Sequence, residues 1–256
     1  MSRLFKTKGI ILKTMKYGEA DKIVTILTEQ YGKIRAIVKG VRKTKSQFGS
    51  STEILTLIEI LVYKGKNLNI VSQSEIINSF FPQCKDLKKY GLALHCAEIV
   101  DKITVAEDTN PDIYYLFKNI IHYLQACKNP LLLTESFKWH LFTFLGYQPI
   151  LNHCIGCNKN IISTPYHILD IANGGIICRS CQTVTNANQV KISDYCLRLM
   201  KRILEVDLSD ICNKKISSHI IDELSRITYQ YMNYYFEINS SCFKFINRFN
   251  KTNFQG

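Results

Sequence analysis

Four cysteines constrain this chain more than any other feature. Cys154-x2-Cys157 is followed, after 20 residues, by Cys178-x2-Cys181. Two residues between cysteines let both sulfurs of one turn point at a common centre, and a second such turn completes a tetrahedron, which zinc favours. Gly156 and the pair Gly174-Gly175 give the backbone freedom to turn tightly around them. Four thiolates leave no open coordination position, so the expected role of one Zn2+ here is structural and not catalytic. Two disulfides, a redox-active Cys-x2-Cys or a different metal such as iron fit the same spacing. His153 and His167 flank the module and read as ordinary surface or supporting histidines. The other six cysteines (Cys84, Cys96, Cys127, Cys196, Cys212 and Cys242) are scattered through apolar segments and read as small buried hydrophobes.

The rest of the chain divides by periodicity. From residue 8 to 81 it reads as short strands: Gly9 to Thr14, Lys22 to Thr28, Lys33 to Lys39, Glu53 to Tyr63 and Leu68 to Glu75. These are rich in β-branched residues and separated by Gly-bearing turns, with a polar loop from Gly40 to Thr52. Five such strands suit a small barrel of the OB type, an SH3-like barrel being the competing architecture. After Pro82 the period becomes helical. Asn110-Pro111 is a helix start, with Ile113, Leu116, Phe117, Ile120, Ile121 and Leu124 behind it on one face. Asn129-Pro130 reads as the end of that helix. A further helix runs from about Leu131 to Leu145 and stops at Gly146, another starts at Ser193, and a last one spans Ser217 to Phe236. The expected organisation is α+β: a small barrel over residues 1–81, then a helical domain over 82–256 with a zinc module inserted at 150–183. The tail from Asn247 to Gly256 is polar and expected to fray.

Charge points to the partner. The formal net charge is +12, of which residues 1–81 supply +8, from 14 Lys/Arg and 6 Asp/Glu. Within that third, Lys33, Arg35, Lys39, Arg42, Lys43 and Lys45 follow one another with no acid between them, Glu29 and Glu53 being the nearest. A strand running into a loop with this charge suits a phosphate-tracking groove, whereas a surface kept only for solubility mixes both signs. Tyr17, Tyr31 and Phe48 are available for base stacking or for the core. The tyrosines 229, 231, 234 and 235 at helical spacing read as core more than as a nucleic-acid platform, and Lys138 with Trp139 on an apolar helix as core or snorkelling, with partner contact as the alternative. No phosphate-cradling glycine loop, nucleophile elbow or nuclease-like carboxylate set is present, so a binding protein is expected and not an enzyme. The opening residues lack the apolar run of a secretory signal, and no stretch approaches the roughly 20 apolar residues of a membrane span. A cytoplasmic, nucleoid-associated location without membrane contact follows as the expectation.

The pattern Tyr17-Gly18-Glu19-x-Asp21, Thr28, Tyr31-Gly32-Lys33, Ala36, Lys39-Gly40 and Arg42 resembles the N-terminal domain of the RecO family. The segment Phe137 to Leu145-Gly146-Tyr147-x-Pro149, then the four cysteines around Gly174-Gly175, is similar to that family's second region. The resemblance covers residues 8–75 and 137–181 and is faint elsewhere. It implies an OB-fold, a helical domain, a zinc module that some members lack, and no catalysis. It further implies binding to single- and double-stranded DNA, annealing of complementary strands, contact with RecR and with the C-terminal tail of single-strand-binding protein, and help in loading a RecA-type recombinase. DNA binding is carried onto Lys33, Arg35, Lys39 and Arg42 and zinc ligation onto the four cysteines; no residues are assigned to the tail pocket. The rival expectations are an RNA-binding zinc-ribbon accessory factor, told apart by preference for structured RNA, an enzyme with the metal module as scaffold, told apart by divalent-metal-dependent cleavage of an oligonucleotide, and an adaptor that contacts proteins without DNA.

Overall fold

The computed structural model describes residues 3–44, 46, 48–81, 86–182 and 187–238. Pro82, Cys84, Cys242, the last position of the expected zinc module and the 247–256 tail lie outside them. The chain forms two compact units, which divide between Ala126 and Cys127.

The first unit begins with five strands: β1 (Leu4–Tyr17), β2 (Asp21–Thr28), β3 (Gly32–Val38), β4 (Thr56–Tyr63) and β5 (Asn69–Ser79). They close in the order β1-β2-β3-β5-β4, with β4 returning to β1. All neighbours are antiparallel except β3 and β5, which pair in parallel through Ala36–Asn69 and Ile37–Ile70. The alternation of the sequence sets what lies inside. Val24 and Ile26 on β2 face Ala36 and Ile34 on β3, and with Ile11, Val38, Ile58, Ile60, Val62 and Val71 they fill the interior. Each valine or isoleucine among them contributes about 1.5–3 kcal/mol on burial. β1 is longer than the sequence suggests, because a bulge between Ile11 and Lys13 lets one strand bend and pair with both β2 and β4.

Two helices belong to the same unit: α1 (Leu87–Ile103), which packs against β1, and α2 (Pro111–Leu124). The sequence boundary at residue 81/82 marks a change of secondary structure; the packing boundary falls 45 residues later. Asn110 caps α2 as expected, its side chain accepting from Ile113 N at 3.2 Å.

The second unit holds α3 (Pro130–Phe144), a three-stranded sheet of β6 (Tyr166–Asp170), β7 (Gly175–Ile177) and β8 (Gln189–Ser193) in the order β7-β6-β8, and α4 (Asp194–Glu205), α5 (Leu208–Ile211) and α6 (Ser218–Phe236). Asn129-Pro130 does not end a helix. Asn129 caps α3, accepting from Leu132 N at 3.2 Å, and Pro130 takes the first position, where its missing N–H costs nothing. Trp139 and Phe142 of α3, Tyr147, and Tyr231, Tyr235 and Phe236 of α6 form one aromatic cluster with ring centroids 4.8–5.5 Å apart. The hydroxyls of Tyr231 and Tyr235 donate to the carbonyls of Tyr147 and Ile171 at 2.8 and 2.6 Å, so these tyrosines are core, while Tyr234 stays exposed. Lys138 is also core: its ammonium lies 2.8 Å from Glu135, both side chains being at most 2% exposed.

Candidate metal centre and basic corner

The four sulfurs of Cys154, Cys157, Cys178 and Cys181 lie within 4.8 Å of one another. Cys154 precedes a turn held by Asn158 N donating to Cys154 O at 2.8 Å and Cys154 N donating to Lys159 O at 2.8 Å. Ile155 N donates to Ile176 O at 3.0 Å and so hangs this turn on β7, whose end delivers Cys178. The second turn closes through Cys181 N donating to Cys178 O at 3.0 Å. The glycine between the first pair leaves room for the sulfurs, since a Cβ on Gly156 would crowd Cys181, 3.0 Å from its Cβ and 3.2 Å from its Sγ.

This donor set fits a metal ion. Around an ion with bonds of about 2.3 Å, tetrahedral sulfurs stand about 3.8 Å apart, and Cys157 Sγ is 3.8 Å from Cys178 Sγ. A disulfide requires about 2.0 Å, and all four cysteines are free thiols. Burial alone would push the Cys154 thiol up. The N–H groups of Cys178, Cys157 and Gly156 aimed at its sulfur outweigh that and bring its pKa down to about 6. The Cys181 thiol is pushed up to about 12, chiefly by hydrogen bonds shared with Cys157 and Cys178. Cys154 is therefore ready to be a thiolate, while Cys181 holds a proton that a cation would displace. His167 is not part of the cluster: its Nε2 is 2.9 Å from Asp194 Oδ1. Among the scattered cysteines, Cys96, Cys127, Cys196 and Cys212 are buried, as expected.

The basic stretch of the first unit does not form one patch. Its start is clamped. The Lys33 ammonium, 12% exposed, lies 3.5 Å from an Asp101 carboxylate oxygen and also donates to the Asp101 carbonyl. Around it, Thr28 Oγ1 donates to Gly32 O at 2.7 Å, Glu107 N donates to Lys33 O at 2.9 Å, and the Tyr115 hydroxyl donates to Glu29. Gly32 has φ +62°, and a Cβ there would lie 2.2 Å from the carbonyl oxygen of Asp108. Arg35 is exposed halfway along β3.

The other end is built differently. Gly40 N donates to Asp21 Oδ1 at 2.8 Å, Arg42 N donates to Ala20 O at 2.9 Å, and Arg42 Nη1 donates to Gly18 O at 3.2 Å. These bonds staple the β1–β2 turn to the loop after β3 and leave Lys39, Arg42 and Lys43 exposed at one corner. Lys45 lies outside the described residues. The spacing between Gly18, Asp21, Gly40 and Arg42 in the sequence is thus the signature of one hydrogen-bonded corner. Asp101, the partner of Lys33, carries no local sequence signal because it arrives from α1, 68 residues away.

No described helix is long and apolar enough to cross a membrane. The model of the Recombination protein O N-terminal domain matches residues 1–80, and that of the Recombination protein O C-terminal domain matches residues 84–240. The DNA repair protein RecO of Acetivibrio thermocellus is 29% identical over 94% of this chain and 95% of its own. That of Dehalococcoides mccartyi is 31% identical over 86% of each. That of Moorella thermoacetica is 29% identical over the whole of this chain and 95% of its own. With a strand-rich first domain, helices behind it, a four-sulfur cluster and family matches that together run almost end to end, the chain belongs to the RecO family of DNA repair proteins.

Proposed function

We propose that this protein is a recombination mediator that works by binding energy alone. It binds single- and double-stranded DNA, anneals complementary strands, and acts with RecR and the C-terminal tail of single-strand-binding protein to load a RecA-type recombinase. The observation that carries this reading, beside family membership, is the corner at Lys39, Arg42 and Lys43: three exposed cations on a loop tied down by hydrogen bonds, in which the Asp21 carboxylate already accepts from Gly40 N. Such a loop holds its charges in place before the anion arrives, so little conformational freedom is lost on binding phosphate. Arg35, exposed on β3, and Lys45, two residues after Lys43 in the sequence, are assigned to the same contact. Lys33 is assigned the role of a strut, since its charge is committed to Asp101.

The four cysteines are proposed to hold one structural Zn2+. A closed set of sulfurs supplies no site for substrate, and the chemistry the ion contributes is to tie two turns together. The setting is proposed as cytoplasmic and nucleoid-associated, without a membrane partner.

The test is the affinity for a labelled single strand, followed by anisotropy across a salt series. Reversal of three cations, Lys39→Glu, Arg42→Glu and Lys43→Glu, is expected to lower the slope of log K against log salt by about 2, at about 0.7 per phosphate contact. An unchanged slope would contradict the placement of the site. Stronger binding to structured RNA than to single-stranded DNA would contradict the mediator reading itself.

A further inference from the structure

The cysteine-bearing region from Ile150 to Ser193 contains one acidic residue, Asp170, against Lys159, Arg179 and Lys191. Asp170 is buried, and its oxygens accept from Asn173 N at 3.0 Å and Gln189 Nε2 at 3.1 Å. The charge that this region shows to solvent is therefore of one sign. Two of the cations are held in place. Arg179, between the second pair of cysteines, sets its guanidinium 4.9 Å from the centre of the Tyr166 ring, and Lys191 sets its ammonium 3.8 Å from the same centre. The negative face of the ring attracts cations, so Tyr166, at the start of the central strand β6, collects two that would otherwise repel each other. A third, Arg226 of α6, donates to Lys191 O at 3.4 Å along the free edge of β8. A groove of about 640 Å³ runs beside that edge, its polar wall made by Gln189, Lys191, Ser193, Glu223, Arg226 and Gln230.

The carboxylate in the groove, Glu223, is engaged by a neighbour. Glu223 accepts from Ser193 N at 2.7 Å and from Ser193 Oγ at 2.6 Å. Among the described residues, Arg179, Lys191 and Arg226 form no ion pair. Three cations gathered beside a single carboxylate that is already hydrogen-bonded raise the free energy of the unbound protein, and a polyanion relieves it. The groove is open, is lined by polar and apolar atoms alike, and lacks the closed apolar pocket that anchors a peptide side chain, which favours a phosphodiester backbone over an acidic peptide.

We propose that this face of the second unit is a separate contact for single-stranded DNA, in which Arg179, Lys191 and Arg226 take backbone phosphates and Tyr166 holds the first two in position. One chain would then carry two strand contacts, one in each unit, as a protein that anneals strands requires. The proposal rests on the DNA-binding reading above and adds a site that the sequence did not single out.

Arg179→Glu, Lys191→Glu and Arg226→Glu are introduced together into the full chain, and metal content and circular dichroism are checked against the unmodified protein. The slope of log K against log salt for a long single strand is expected to fall by about 2, additively with the change produced by reversing Lys39, Arg42 and Lys43. Arg179→Lys with Arg226→Lys should retain the slope, and Tyr166→Phe should retain more affinity than Tyr166→Ala. Ultraviolet crosslinking of a 5-iodouracil oligonucleotide should mark the peptide containing Tyr166. An unchanged slope with no crosslink in residues 165–193, while the barrel variant still weakens binding, overturns this proposal and leaves the mediator reading standing. If the unmodified protein does not bind the strand at all, both fall. Loss of metal with unchanged affinity in the metal-loaded fraction, or capture of an acidic peptide in place of DNA, also overturns it, since the cations would then serve the sulfur cluster or a protein.

Discussion

The two ends of the barrel use the same residue types for opposite purposes. At the β2–β3 end, Lys33 meets Asp101, Glu29 meets Tyr115, and the backbone of residues 106–108 lies so close to Gly32 that no side chain fits there. At the other end, the carboxylate of Asp21 is spent on a backbone N–H, and Lys39, Arg42 and Lys43 remain exposed. One end converts charge into packing with α1 and the segment after it, and the other leaves charge available to a ligand. A run of cations in a sequence is therefore not yet a patch; what decides is where each counter-charge arrives from in the fold.

Perturbations of graded size sharpen that contrast. The largest effect should come from a change that spares both ends. Cys154→Ser removes the sulfur that receives three backbone N–H groups, and metal binding should be lost together with about 3 kcal/mol or more of stability in the second unit. Thermal unfolding with and without a strong chelator measures it, and no chelator effect on the unmodified protein would contradict a structural ion. Next comes the clamped end. Gly32→Ala puts a Cβ against the Asp108 carbonyl at positive φ and should cost about 2–3 kcal/mol in a denaturant titration. Lys33→Met should cost about 1.5 kcal/mol by stranding Asp101, while the DNA salt slope stays as it was. At the open end, Lys39→Met should do the reverse: stability within about 0.5 kcal/mol of the parent, and a salt slope lower by about 0.7. If Lys33→Met and Lys39→Met proved interchangeable in both assays, the distinction between the ends would fail.

Much of this was legible in the residues. β-branched runs marked the five strands because a barrel interior selects them at alternate positions, as Ile34 and Val38 on either side of Ala36 show. Asn110 and Gly146 marked helix ends through backbone chemistry that acts locally. The paired cysteines announced their cluster because sulfur ligation fixes spacing. What escaped was whatever depends on distant segments or on few residues. β6, β7 and β8 are three to five residues long and carry too little periodicity to be seen. Asn129-Pro130 serves equally as a stop or a start until the next helix is known to pack. The pairing of Lys33 with Asp101, and of Tyr166 with Arg179 and Lys191, joins residues that no local pattern connects.

Strand annealing tests the central claim most directly. Complementary oligonucleotides coated with the cognate single-strand-binding protein are mixed with this protein in the absence of nucleotide, and duplex formation is followed by fluorescence transfer. Acceleration that fades with salt and is lost when Lys39, Arg42 and Lys43 are reversed is the result expected of a mediator whose DNA contact is the open corner. Absence of acceleration by the unmodified, metal-loaded protein would contradict it.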